Sequence, residues 1–279
     1  MRHGLQVIFG AGHVGRVLAA VLAERGAAVR LVTRRRPAGL AEGIDWRAAD
    51  AADLDSASDA AKGAAVVHQC LNAPYGYGPT GGRPMTEDLP LAATTVKGRT
   101  RAAMTAELLA AAEAGGIRIA IGRASDFFGA GVTQGSTLGE RVFCNALAGR
   151  RADFIGDADL PHTYSYVPDI AAGLATLGTD ARAAGQVWRL PGPQTVTTRE
   201  LLDLIAAQVG HQVGVRSVPR LALRFLGLAS PMMRGLAEMS YQFDEPFVLD
   251  TSRYESVFGT AGTPLAATVA WYRTRPGTP

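Results

Sequence analysis

The sequence predicts an α/β fold: a doubly wound parallel sheet with a smaller C-terminal substrate lobe. Short apolar runs that suit buried strands alternate with segments whose apolar residues recur at helical spacing. A glycine-rich turn joins the first predicted strand to the first predicted helix. We expect residues 1–124 to form the sheet domain. Residues 125–279 should form a mixed substrate lobe, from which some elements return to the sheet.

The first 71 residues predict four strands and two helices. Residues 64–71 form a largely apolar run, which is typical of a strand buried on both faces of a parallel sheet. The earlier strands are predicted at residues 5–9, 29–32 and 46–48, and the helices at residues 14–24 and 54–61.

Residues 72–92 predict a long irregular loop, because glycine and proline recur throughout them. A loop of this length in a compact domain usually serves a function. Thr94 or Thr95 then caps a helix that runs to about residue 113 and ends at Gly115. Later elements are predicted as strands at 117–121, 187–190 and 213–218, and as helices at 138–147, 168–177 and 198–209.

Composition and charge exclude several classes of protein. With 47% hydrophobic and 19% charged residues, the chain is expected to be globular. The net charge of +3 comes without the broad basic patch that a nucleic-acid partner needs. No apolar run reaches the roughly 20 residues of a membrane span, and no signal peptide precedes the first strand, so a cytoplasmic location is expected. Two cysteines cannot build a disulfide framework.

The glycine turn indicates a dinucleotide site. Gly10, Gly12 and Gly15 fit the G-x-G-x-x-G pattern, with His13 and Val14 between the second and third glycines. The first glycine would make the tight turn, the second would admit the pyrophosphate, and the third would let helix and strand pack closely. Free N–H groups at the helix N-terminus would bind the phosphates. This context predicts a Rossmann-like cofactor site, with an ordinary strand-to-helix turn as the alternative.

The end of the second strand favours NADP over NAD. NAD sites usually place an acidic residue there, which binds the ribose hydroxyls. This chain instead has Thr33, followed by Arg34, Arg35 and Arg36, and arginine binds phosphate through a planar fork of donors. A solvated basic turn without a ligand is the alternative. Asp50, after the third strand, is expected either at the adenine edge or as a helix cap.

A series of short motifs follows along the chain in a recognisable order. They are the glycine turn at 10–15, Asn72-Ala73-Pro74, Tyr77-Gly78-Pro79, the segment 86–90, Lys97-Gly98, the segment 122–129, Tyr166-Val167-Pro168-Asp169 and the segment 185–188. Their order resembles the extended short-chain dehydrogenase/reductase superfamily, and within it the NAD-dependent epimerase/dehydratase family. The resemblance covers almost the whole chain. It implies a nicotinamide cofactor, which would also contact Leu71, Asn72 and Ala73 after the fourth strand.

In that family a Tyr-x-x-x-Lys pair carries the chemistry. The tyrosine exchanges a proton with the substrate oxygen, and the lysine binds the nicotinamide ribose and lowers the tyrosine pKa. Lys97 matches the lysine, so the resemblance implies both roles for it, with a solvated helix lysine as the alternative. Four residues earlier stands Ala93, whose methyl group cannot transfer a proton. Tyr75 and Tyr77 on the long loop either replace the missing acid or pack the loop.

The resemblance also implies that one internal βα unit is absent. The family has a complete helix–strand unit before the Tyr-Gly-Pro loop, whereas residues 73–75 here run directly into residues 76–79. The strand predicted at 117–121 should therefore pair with the strand at 64–71, because an empty slot would leave buried N–H and C=O groups unpaired. The family often dimerises through two helices per subunit on this face. Because one of these helices would be absent here, we expect a monomer or a weak homodimer.

Several later residues are candidates for substrate contact. Arg123 follows a strand end, where open α/β sheets bind ligands, and Ser125 and Phe127 come soon after it. A capping or turn role is equally open for these three residues. His162 and Tyr164 lie in a segment that resembles one near the family's substrate cleft. A lone histidine is more often structural, and since no second ligand is near it we expect no metal site.

The sequence thus predicts an NAD(P)-binding oxidoreductase-like protein of the epimerase, dehydratase or reductase type. NADP is the preferred cofactor, and the substrate is expected to be a small carbonyl or carbinol compound. The alternative is a redox-silent NADP(H)-binding sensor or regulatory protein. Ala93 favours that alternative, because binding a cofactor needs no acid.

Overall fold

A computed structural model describes residues 4–70, 77–129, 131–132, 136, 138, 140–218, 237, 240–259 and 261–274. Within these stretches, no helix is both long enough and apolar enough to cross a bilayer. Strands and helices alternate through the first half of the chain, as the spacing of its apolar residues predicts.

A four-stranded parallel sheet forms the first half of the fold. Its strands are β1 (Leu5–Phe9), β2 (Val29–Thr33), β3 (Asp45–Ala48) and β4 (Ala64–Gln69), and its helices are α1 (His13–Glu24) and α2 (Leu54–Ala61). The strands stand in the order β3-β2-β1-β4, and each neighbouring pair is parallel. The elements predicted in this part of the chain are all present, with bounds shifted by two residues at most.

Helices and short strand pairs make up the rest of the described chain. They are α3 (Val96–Glu113), β5 (Ala120–Arg123), β6 (Asp126–Phe128), α4 (Glu140–Leu147), β7 (Ala152–Ile155), β8 (Pro161–His162), β9 (Tyr164–Tyr166), α5 (Val167–Thr179), β10 (Gln186–Arg189), β11 (Val196–Thr197), α6 (Thr198–Val209), β12 (Val215–Val218), α7 (Ser252–Phe258) and α8 (Leu265–Thr274). The pairs β5–β10, β6–β9 and β7–β12 are parallel, whereas β8 and β11 run antiparallel. Strands of two to four residues show no clear apolar period, which explains why several of them were not predicted.

Helices cover both faces of the four-stranded sheet, which makes it doubly wound. On one face, Ile8 of β1 lies in a buried cluster with Leu18 of α1 and Ala175 of α5. On the other face, Val7 of β1 packs with Ala60 of α2. Neighbouring residues of one strand therefore serve two different cores, because side chains alternate across a sheet. The predicted doubly wound, Rossmann-like architecture is confirmed.

Strand β4 departs from the prediction, because it is buried on one face only. Val67 is 50% exposed, whereas His68 on the opposite face is buried and hydrogen-bonds through Nε2 to Oε1 of Gln6 at 2.9 Å. Helix α3 adds little cover, since Gly98 is its one buried residue. The apolar run thus predicted the strand correctly, but it wrongly predicted that both faces of the strand would be covered.

The expected pairing between β4 and β5 is wrong. β4 pairs with β1, and β5 pairs with β10. Helix α5 packs against both strands instead: Gly178 approaches His68 of β4, and Leu177 lies over Gly122 of β5. Packing against α5, rather than a shared hydrogen-bond ladder, therefore connects β4 to β5. No strand formed by residues 77–92 lies between them, and the absence of a βα unit stays a prediction.

Residues 77–92 form no helix or strand, as predicted, yet they are anchored on the C-terminal part of the chain. Met85 forms an isolated bridge with Leu249. The carboxylate of Glu245 accepts a hydrogen bond from the backbone N–H of Thr80 at 2.6 Å. This docking carries Tyr77, Met85 and Leu249 into one buried cluster. Tyr77, Gly78, Thr80 and Met85 of the loop are therefore buried, whereas residues between them remain exposed.

Candidate functional site

The glycine turn after β1 has the geometry of a phosphate cradle. Gly10 has φ +105°, a conformation that favours glycine. A β-carbon built on Gly15 would stand 2.0 Å from the Gly10 carbonyl oxygen, so the third glycine allows the turn and the helix to touch. A β-carbon on Gly12 would meet no atom of the described residues within 4 Å. The middle glycine therefore borders open space, where the pattern requires room for a pyrophosphate.

Helix α1 presents its N-terminus to this space. Gly12 is the N-cap residue, and no side chain caps the helix there. The first turn contains no acidic residue that would compete for the free N–H groups. Backbone N–H groups and the positive end of the helix dipole together attract anions. The turn and the helix thus fit a dinucleotide pyrophosphate.

Cys70 directly follows β4 and lies against the glycine turn. Its backbone N–H donates to the carbonyl oxygen of Phe9 at 3.1 Å, which ties the ends of β4 and β1 together. Burial raises the pKa of its thiol to about 12, so the sulfur stays protonated near neutral pH. Cys70 is therefore a packing residue of the turn.

The end of β2 carries the predicted basic segment. The Thr33 hydroxyl accepts a hydrogen bond from Nε1 of Trp46 at 2.9 Å and donates one to the carbonyl oxygen of Arg35 at 2.7 Å. These bonds fix the path of the chain as it leaves the strand. Arg34, Arg35 and Arg36 are exposed, and the ion pairs of the described residues include none of them. Three guanidinium groups are therefore exposed, without a carboxylate partner among the described residues.

Arg16 belongs to the same region, although the sequence analysis did not single it out. It lies one turn into α1, where its Nε donates to the Ala11 carbonyl at 3.0 Å and its Nη1 donates to the Ala38 carbonyl at 2.8 Å. Ala11 is part of the glycine turn, and Ala38 follows the basic segment. One side chain therefore bridges the two halves of the candidate cofactor site.

Asp50 performs a local structural role in the described fold. Its Oδ1 accepts a hydrogen bond from the Ala52 N–H at 3.0 Å, in the turn that precedes α2. Asp53, rather than Asp50, caps α2, because its carboxylate accepts from the Ser56 N–H at 2.9 Å. Contact with an adenine edge stays a prediction for Asp50.

Phe127, one of the substrate candidates, lies close to the first residue of α1. The rings of His13 and Phe127 have centroids 6.3 Å apart. Val14 packs against the same buried cluster as Phe127 and Ala124. The structure therefore brings the start of α1 and the segment after β5 together.

Lys97 lies in the first turn of α3, whose N-cap is Thr95. Its side chain is exposed and makes no hydrogen bond or ion pair with a described residue. Ala93, in the position of the family tyrosine, is buried, and a β-carbon on Gly78 would stand 3.0 Å from its Cα. This close approach leaves little room for a side chain at position 78, and the burial of Ala93 limits the space for a larger side chain at position 93. The remaining predictions in this region, Leu71, Asn72, Ala73 and Tyr75, lie outside the described residues.

Tyr77 is 3% exposed and is held between two arginines. Nη1 of Arg123 donates to its hydroxyl, and the guanidinium carbons of Arg123 and Arg189 lie 4.7 Å and 4.6 Å from the centre of its ring. Arg189 also donates through Nε to the Met85 carbonyl at 3.4 Å. Burial lowers the pKa of Arg189, a residue that the sequence analysis did not single out. Tyr77 thus serves to dock its loop on the ends of β5 and β10.

Arg123 and Ser125 are engaged in the same interior. Nη2 of Arg123 donates to the Thr105 hydroxyl at 3.1 Å, which connects β5 to α3. The Ser125 N–H donates to the Ser165 hydroxyl at 2.8 Å. The Ser125 hydroxyl itself is buried and has no partner among the described residues. The substrate role predicted for both residues stays a prediction.

His162 and Tyr164 lie in the core of the second half. The His162 ring stacks on Tyr164, Phe247 and Phe243, with centroids 4.5, 5.0 and 5.4 Å away. Burial lowers the pKa of His162 to about 3 and raises the pKa of Tyr164, whose hydroxyl bonds to that of Thr198 at 2.8 Å. Among the described residues, no group of three His, Cys, Asp or Glu side chains could hold a metal ion. Their predicted contact with substrate stays a prediction.

Residues 72–190 match the model of the NAD dependent epimerase/dehydratase family. This segment contains the Tyr-Gly-Pro loop, Lys97 and the motif after β5, which are among the residues that carried the resemblance in the sequence; the glycine turn at 10–15 lies outside it. No curated protein sequence matches the chain significantly.

Solved structures share the fold over nearly the whole chain. A dTDP-glucose 4,6-dehydratase from Bacillus anthracis in complex with NAD is 14% identical, with a TM-score of 0.75 over 98% of this chain and 97% of that one. A UDP-glucuronic acid 4-epimerase from Bacillus cereus in complex with NAD is 14% identical, with a TM-score of 0.74 over 95% and 96%. A UDP-glucose 4-epimerase from Thermus thermophilus in complex with NAD is 16% identical, with a TM-score of 0.72 over 97% and 99%.

Proposed function

We propose that the chain belongs to the NAD dependent epimerase/dehydratase family, whose model residues 72–190 match, and that it is an NADP(H)-binding, oxidoreductase-like protein. The observation that carries this proposal is the open cradle at Gly12, which lies beside a basic segment without carboxylate partners. A pyrophosphate fits the first feature and a ribose 2′-phosphate fits the second.

The chain's own residues would divide the work of holding the cofactor. Gly10, Gly12 and Gly15 would admit the pyrophosphate to the N-terminus of α1, and Arg34 and Arg35 would bind the 2′-phosphate. A bound nicotinamide supplies hydride exchange with a carbonyl or carbinol carbon. The residues from 125 onward would cover a small-molecule substrate at the same edge of the sheet. Such a protein could act as a monomer or a weak homodimer.

NAD is the competing cofactor, since the three relatives compared above were each solved with NAD. Sequence identities of 14% to 16% allow the cofactor to differ between these proteins and this chain. The residue at the end of β2 favours NADP, because Thr33 carries no negative charge that would repel a 2′-phosphate. The Thr33 hydroxyl is also already bonded to Trp46 and to the backbone of Arg35.

A redox-silent sensor is a second candidate function. Ala93 cannot serve as an acid, and it is buried, which suits a small side chain at this position. Tyr77, a possible substitute, has its hydroxyl bonded to Arg123 in the interior. A protein with these features would bind the dinucleotide and change its contacts with a partner, without turning over a substrate.

Two measurements on the purified chain test these functions. Titrations with NADPH and NADH, followed by nicotinamide fluorescence, should give the tighter dissociation constant for NADPH. If neither cofactor bound, the proposal would be overturned, and equal affinities would overturn the preference. A panel of aldehydes and ketones with NADPH, followed by absorbance, then separates an oxidoreductase from a sensor: binding without turnover of any member supports the sensor.

A further inference from the structure

The side chain of Arg16 occupies a position that the proposed function does not yet use. It leaves the first turn of α1 and reaches the carbonyl oxygens of Ala11 and Ala38 at 3.0 Å and 2.8 Å. The first carbonyl belongs to the turn that would hold the pyrophosphate. The second lies two residues beyond Arg36, the last residue of the basic segment. Arg16 therefore stands between the two places where a dinucleotide carries its phosphates.

The guanidinium group of Arg16 has N–H donors that no described residue accepts. An arginine has five N–H groups, and two of them serve the carbonyls of Ala11 and Ala38. The other three have no partner among the described residues, and the side chain is exposed. A phosphate takes such donors in pairs, because their planar arrangement matches two of its oxygens.

Charge also favours an anion at this position. Arg16 and the three arginines at 34–36 place four positive charges around one end of β2, and none of the four is in an ion pair with a described carboxylate. Like charges held together repel one another, and this repulsion disappears when a dianion binds between them. The two backbone bonds hold Arg16 in place before any ligand arrives, so little side-chain entropy is lost on binding.

We propose that Arg16 is a specificity-determining residue for the 2′-phosphate of NADP, held in position by the carbonyls of Ala11 and Ala38. The proposal rests on the cofactor site proposed above and adds to it a residue from the glycine turn's own helix. Arg16 would bind the 2′-phosphate together with Arg34 and Arg35. It would also fix the distance between the pyrophosphate turn and the basic segment, because it bonds to both.

The test compares Arg16→Ala and Arg16→Lys with the parent chain. Arg25, at the C-cap of the same helix and exposed, gives the matched control Arg25→Ala. Dissociation constants are measured for NADPH and NADH, and for the fragments 2′,5′-ADP and 5′-AMP, which lack the nicotinamide half. Thermal unfolding of each variant shows that the fold is retained.

Arg16→Ala should weaken NADPH and 2′,5′-ADP about tenfold, while NADH and 5′-AMP change less than about threefold. Arg16→Lys should fall between the alanine variant and the parent, because an ammonium keeps the charge but loses the fork. Arg25→Ala should match the parent. If Arg16→Ala weakened all four ligands equally, or none of them, the inference would be overturned while the NADPH preference of the parent stood. A parent without that preference would overturn both.

Discussion

Gly15 and Gly10 lie in direct contact, across the turn that joins β1 to α1. A β-carbon on Gly15 would stand 2.0 Å from the Gly10 carbonyl oxygen and 3.0 Å from its carbonyl carbon. Gly12, three residues earlier, faces open space instead. Two glycines of one motif therefore serve different purposes: one permits the fold, and the other leaves room beside it.

Substitutions at these two glycines should accordingly separate binding from stability. Gly12→Ala should keep the free energy of unfolding within about 1 kcal/mol of the parent, because φ is −70° and no atom lies near the new methyl group. It should nonetheless weaken NADPH binding by at least about tenfold, since the methyl group would fill the cradle. Gly15→Ala should destabilise the fold by about 3 kcal/mol or more. Denaturant unfolding and NADPH titration check both. Tight NADPH binding by Gly12→Ala would contradict the assignment of the cradle.

The basic segment provides the second prediction. Arg34→Ala and Arg35→Ala should each reduce the ratio between NADPH and NADH affinities by about fivefold to tenfold, because a charge-assisted bond to the 2′-phosphate is lost. Arg30→Ala is the control for β2, since its guanidinium is already paired with Asp45 at 2.8 Å. The preference should also weaken as salt is added, because exposed charges are screened. An unchanged ratio in both variants would indicate a solvated basic turn.

The parts of the site that sequence could predict are those built from neighbouring residues. The glycine turn involves Gly10 to Gly15, so its spacing and its flanking apolar runs already define its geometry. The same holds for the cap of α3, because Thr95 is one of the two neighbouring threonines predicted to begin that helix. The hydrogen bond of this cap closes within three residues of the chain.

The parts that escaped prediction depend on residues far apart in the sequence. Arg189 contacts Tyr77 only because β10 pairs with β5, and no local sequence pattern predicts that pairing. Arg16 looks like an ordinary polar position of an amphipathic helix until the loop at Ala38 folds back beside it. The exposed face of β4 was not predicted for a related reason. The apolar composition of a strand predicts that it is buried overall, but it does not predict which of its faces a helix covers.

The buried histidines make stability depend on pH. Burial lowers the pKa of His162 to about 3 and that of His68 to about 4, both below the value of 6.5 for an unfolded chain. Between these values the unfolded state binds more protons than the folded state, so stability is present near neutral pH and is lost as the pH falls below about 6.5. Each histidine should cost about 2 kcal/mol at pH 5.

Denaturant unfolding at pH 7 and pH 5 measures this loss. His162→Phe should remove about half of it, because phenylalanine keeps the stack on Tyr164 and Phe247 and takes up no proton. His211, which is exposed, provides the control His211→Gln. If His162→Phe lost as much stability on acidification as the parent, then carboxylates rather than His162 would govern the acid limit.

The last prediction concerns turnover. Reduction of simple ketones by NADPH should be slow or absent, because Ala93 replaces a proton donor that typically contributes about 10²–10⁴-fold to the rate. Ala93→Tyr should not restore the rate, since Ala93 is buried and a tyrosine ring there would overpack the interior; it should instead lower the thermal unfolding midpoint. Tyr77→Phe should leave NADPH binding unchanged and reduce stability, because it removes the acceptor of the Arg123 hydrogen bond in the interior. Brisk turnover in the parent would show that another acid operates, and Tyr75→Phe would then be the decisive variant. A loss of turnover in Tyr77→Phe at full stability would return Tyr77 to the catalytic role that its place in the sequence first suggested.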